Sequence, residues 1–180
     1  MAHESMVLAP NATMPAAEAS LGQLRAFLDG LDADAYTAPS EALGGGTIGR
    51  HIRHTLDHFA AALDALEGGV ISYDRRGRGT EVETDPEEAC RIIDVLRSLI
   101  HAAPANQADR LVTVRVMLTA EGEEAELTST FARELAFASH HAVHHMAMVS
   151  SIARERGVSA PDGFGKAPST LVHERAGGGA

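Results

Sequence analysis

Leu21, Leu24, Leu28 and Leu31 recur at steps of three and four residues, and the same rhythm returns in three later stretches. A chain with four such stretches folds as packed helices, because each carries an apolar stripe that needs a partner. The first predicted helix runs from about Pro15 to Leu31. The second runs from about Ile48 to Leu66, with Thr47 as N-cap and Gly68-Gly69 as its stop. The third opens at Asp85-Pro86-Glu87-Glu88, where a capping residue, a proline at the first helical position and early acids coincide, and continues to about Ala102. Its predicted buried stripe is Ala89, Ile92, Ile93, Leu96 and Leu99. The fourth is long, from about Phe131 to Arg156, and stops at Gly157.

Between the third and fourth helices the period changes from 3.6 to 2. Leu111 to Leu118 alternates and is β-branched, Ala120-Glu121-Gly122-Glu123-Glu124 supplies a turn, and Ala125 to Thr130 alternates again. This predicts a β-hairpin. A long connection from Val70 to Thr84 carries Tyr73, Arg75 and Arg76, and connections of that length are often functional. Residues 1–15 and 175–180, rich in Ala, Gly and Pro, are expected to be loose ends around one domain at 16–174. The fold expected is mainly α: a four-helix bundle with a small β-hairpin inserted between helices three and four.

Composition removes several classes of function. A formal net charge of −10 over 180 residues, with no basic run beyond Arg75-Arg76-Gly77-Arg78, argues against nucleic acid as a partner. No apolar run approaches 18 residues, so no membrane span is expected, and the first twenty residues lack the pattern of a secretory signal. The expected location is cytoplasmic. The single cysteine, Cys90, excludes an intramolecular disulfide and reads as a buried structural residue on a helix.

The chain holds ten histidines, and seven of them fall in two windows, 51–58 and 140–145. At 100° per residue the second helix divides into a core side (Ile48, Ile52, Leu56, Phe59, Leu63), a charged side, and a third sector holding His51, His54 and His58. Small residues, Ala61, Ala62 and Ala65, accompany the histidines there. On the fourth helix His141 and His145 stand four apart at the edge of the stripe Leu135, Ala138, Ala142, Met146 and Val149, with Glu134 on the same line. A pair at i and i+4 can clamp one metal ion. A third imidazole from the facing helix, His54 or His58, would fix its geometry and leave positions open. His51, His140 and His144 read as ordinary surface or packing histidines.

Three segments together, Gly49-Arg50-His51-Ile52-Arg53-His54-Thr55-Leu56-Asp57-His58-Phe59, Arg133-Glu134-Leu135-Ala136-Phe137 and His141-Ala142-Val143-His144-His145, resemble the DinB-like superfamily of bacterial proteins. The closing Phe164-Gly165-Lys166-Ala167-Pro168-Ser169-Thr170-Leu171 stretch is similar as well, so the resemblance covers most of residues 20–172. It implies a four-helix bundle holding one divalent transition metal, zinc or nickel, on three histidines. Carried over, the histidine followed three residues later by aspartate is His54, with Asp57, and the last-helix pair is His141 and His145. His58 is the alternate for the first position. Many members continue the last motif with Arg-Gly-Gln, where this chain has Met146-Ala147-Met148, which weakens transfer of any substrate.

Three neutral nitrogen ligands leave a divalent ion its full charge and an open position, so it would acidify a bound water or thiol. The function expected is a metal-dependent enzyme, either a hydrolase or a thiol-dependent S-transferase acting on a small molecule with a low-molecular-weight thiol. Glu134 is the candidate general base, and Tyr73 and Arg76 are candidates for binding an anionic group. The competing expectation is a non-catalytic metal-binding or stress-related module with a vestigial site. The resemblance also implies a homodimer.

Overall fold

The computed structural model describes residues 12–74, 77 and 79–177. Among them the chain is mainly helical, with one three-stranded sheet. Four helices are long: α1 (Thr13–Leu28), α3 (Ile48–Asp64), α4 (Pro86–Ala102) and α5 (Phe131–Glu155). Two are short, α2 (Ala33–Thr37) and α6 (Pro168–Arg175). Each long helix packs on two others, α1 on α4 and α5 and α3 on α4 and α5, so their apolar stripes meet in one continuous core. Leu21, Ile52, Phe59, Ile93, Leu135, Met146 and Ile152 are wholly or almost wholly buried in it.

The helix starts follow their local chemistry. The hydroxyl of Thr47 accepts the Arg50 amide, Asp85 accepts the Glu87 amide ahead of Pro86, and Thr130 accepts the Arg133 amide. Thr130 ends a strand and caps α5 at once, so the sheet leads straight into the helix that carries His141 and His145.

The predicted hairpin is present as β2 (Leu111–Met117) and β3 (Glu124–Thr130), antiparallel with Val114 opposite Leu127. A third strand, β1 (Ile71–Ser72), comes from the long connection and pairs in parallel with β2, Ile71 opposite Val114. The turn at Glu81–Glu83 lies against α3. These two short elements tie down the two ends of the connection that sequence periodicity leaves undivided. Four further differences are local. α1 begins at Thr13 and ends at Leu28, before Gly30 in the left-handed region. α6 lies where the chain has only a short polar segment, and Leu99, assigned to the α4 stripe, is 48% exposed. Cys90 is half-buried. No helix among the described residues is long and apolar enough to cross a membrane.

Candidate metal centre

α3 and α5 pack directly on one another, and both turn their histidine sectors into the contact. His58 and His145 are buried, His51, His54 and His141 are half-buried, and His140 and His144 are exposed. The Nε2 atom of His141 stands 3.0 Å from Nε2 of His54 and 3.0 Å from Nε2 of His145. The ring planes cross steeply, at 74° for His54 and His141, 63° for His141 and His145 and 78° for His54 and His145, so their edges converge. His54, His58 and His141 also each offer a ring nitrogen within 4.8 Å of the others. Two overlapping triplets therefore share His54 and His141.

His58 differs from His145 in how it is held. Its Nδ1 donates to the His54 carbonyl oxygen at 2.9 Å, and its ring lies between Tyr73 and His141, nearly parallel to both, with centroids 4.9 and 4.1 Å away. An imidazole lone pair lies in the ring plane. Stacked rings send their lone pairs side by side, whereas crossed rings send them to a common point.

Burial pushes the His145 imidazole down to about 3, with His141, His51, His144 and His58 adding to the effect. Burial, and then His144, also lowers His51. His145 is thus neutral at ordinary pH, the state that presents a lone pair. Such a nitrogen has a single in-plane site, so His141 Nε2 cannot satisfy both of its 3.0 Å neighbours with hydrogen bonds. A cation bound by all three would satisfy them together. Ligand nitrogens about 2.0–2.1 Å from a metal and subtending 90–110° lie about 2.9–3.4 Å apart, which matches the two Nε2 spacings at His141. The donor set fits a divalent metal ion.

The other candidate residues form a second layer. Glu134 is fully buried. Its Oε2 accepts from the Tyr73 hydroxyl at 2.8 Å, and its Oε1 accepts from Ser129 at 2.6 Å and from Arg133 at 2.8 Å. Burial, followed by the hydrogen bond to Glu134, raises the Tyr73 phenol far above its ordinary value and keeps it protonated. The Tyr73 hydroxyl thus points at Glu134 while its ring covers His58. Phe137 completes this wall, 5.1 Å from Tyr73 and 5.8 Å from His141. Arg76 lies outside the described residues. Asp57 pairs with Arg53 at 2.7 Å, and Arg53 in turn reaches Glu83 at 3.0 Å.

Sequence reading missed Ser129 and Phe137, and it set His51 aside. His51 Nδ1 lies 2.9 Å from His145 Nδ1. The available signal was the spacing of His51, His54 and His58, which puts all three on one sector of α3.

The DinB family model matches residues 16–164. FK506-binding protein 5 of Rhizopus delemar is 35% identical over 105 residues, 58% of this chain but only 27% of that protein, so the chain spans well under a third of that relative. No solved structure matches the chain.

Proposed function

The chain belongs to the DinB family, and on that footing we propose that it is a four-helix bundle binding one divalent transition metal, zinc or nickel, through His54, His141 and His145. The observation that carries this reading is the approach of three Nε2 atoms from steeply crossed rings, at successive distances of 3.0 Å. His58, stacked flat on His141 and bonded to the His54 carbonyl, supports the ligands instead of joining them.

When bound, such a metal supplies Lewis acidity, activating a water or a thiol. This supports a metal-dependent hydrolase or a transferase that uses a low-molecular-weight thiol, with a small-molecule substrate. The protein's own groups hold and shield the site. α3 and α5 fix the imidazoles, and Tyr73 and Phe137 form an aromatic wall along one flank. Glu134, engaged by three donors, anchors Tyr73 and is better suited to that role than to taking a substrate proton.

Affinity for zinc and nickel, measured by competition with a chelator, tests the ligand set. His54→Ala, His141→Ala and His145→Ala should each lose more than about 100-fold, beyond the range of groups that only support ligands, and His58→Ala about 10- to 100-fold. Loss in His58→Ala with wild-type affinity in His145→Ala would move the site to the other triplet. Metal-dependent turnover of ester, amide or thiol-acceptor substrates would separate an enzyme from a metal-binding module.

A further inference from the structure

We propose that His51 is a positioning residue for His145, fixing by one hydrogen bond which of its ring nitrogens faces His141. This rests on the metal-binding reading above and extends it to a residue outside the ligand set.

His145 is buried with its two nitrogens facing opposite ways. Nε2 meets His141 at 3.0 Å, and Nδ1 meets His51 Nδ1 at 2.9 Å. A neutral imidazole carries one proton, so a His145 that offers the Nε2 lone pair must carry its hydrogen on Nδ1. At 2.9 Å that hydrogen has one partner in line, the Nδ1 lone pair of His51. Left to itself, a neutral histidine exchanges between tautomers and turns about its side-chain bonds. An acceptor fixed at Nδ1 selects the ligating tautomer and the ring orientation together.

His51 is itself held for this task. Its carbonyl accepts the Thr55 hydroxyl at 2.9 Å, which holds its backbone, and its ring lies beside the loop that precedes α3. A Cβ placed on Gly46 would come within 3.1 Å of His51 Nε2, so the loop closes the far side of the ring. That loop is pinned by Ser40, whose amide donates to the Gly46 carbonyl and whose hydroxyl donates to Glu155 on α5. The acceptor atom is thereby fixed relative to both helices.

The test is zinc affinity in the full chain, with the visible spectrum of the cobalt-substituted protein as a second readout. His51→Leu keeps most of the ring's volume and removes the acceptor. It should weaken zinc binding about 10- to 100-fold and shift the cobalt bands, without a matching loss of thermal stability. His51→Asn places an oxygen where Nδ1 stands, so it should recover most of the affinity and the wild-type bands, a rescue that simple packing does not explain. The Nδ1 proton of His145 in the zinc form should give a slowly exchanging nuclear resonance that disappears in His51→Leu. Wild-type affinity and spectrum in His51→Leu, or equal loss in Leu and Asn variants, would overturn the proposal and leave the metal site standing. No zinc binding by the wild type would overturn both.

Discussion

At the scale of single residues, Glu134 carries the largest electrostatic commitment outside the histidines. A fully buried carboxylate is tolerated only when its oxygens are satisfied, and Tyr73, Ser129 and Arg133 do so from three directions. Arg133 is 65% exposed, so its share is screened, and the two hydroxyls matter more. Glu134→Ala should cost about 3 kcal/mol in urea unfolding, because two part-buried donors lose their acceptor. A loss below about 1 kcal/mol would show that Glu134 is not structural, which would return it to candidacy as a proton-transfer group. The sequence places Glu134 beside the site, since it lies on the line of His141. It does not show the anchoring role, because Tyr73 is 61 positions away and reaches Glu134 only once β1 has ordered the connection.

At the scale of elements, α3 is squeezed on two sides. Its histidine sector meets α5, and its start meets the Glu81–Glu83 turn and Tyr36, whose hydroxyl donates to the Val82 carbonyl at 2.6 Å. Gly49 makes that approach possible: a Cβ there would sit 2.1 Å from the Glu83 carbonyl oxygen and 2.8 Å from the Tyr36 ring. In an open helix Gly→Ala stabilises by about 1 kcal/mol. Here the sign should reverse, with Gly49→Ala losing about 3 kcal/mol by chemical denaturation, because backbone must move to admit the methyl group. A neutral or stabilising result would mean that the turn does not rest on α3. The four long helices and the hairpin were legible because each spans enough residues for its period to declare itself. β1, with two residues, and α2, with five, have no period to read. Their positions come from pairing with distant segments.

At the scale of the whole molecule, the fold brings together two histidine windows about ninety positions apart in the chain, each held by a long helix with a side-chain N-cap. The i and i+4 spacing and the family resemblance together picked out His54, His141 and His145, and the structure sets His141 Nε2 3.0 Å from Nε2 of each of the other two. The choice between His54 and His58 was not legible, because one helical turn separates them and both face α5. Both reach His141, each offering a ring nitrogen within 4.8 Å, and they differ in ring orientation, which sequence does not encode locally. The relation of His51 to His145 was hidden for the same reason. It depends on which edge of a ring faces which, and so on how two helices are rotated against each other. The most direct test is the metal content of the untagged protein, purified without chelator and compared with a His141→Ala/His145→Ala variant that stays folded. Close to one equivalent of zinc or nickel per chain is expected, absent from the variant. Metal-free wild-type protein, even after reconstitution above pH ~7 where imidazoles are neutral, would contradict it.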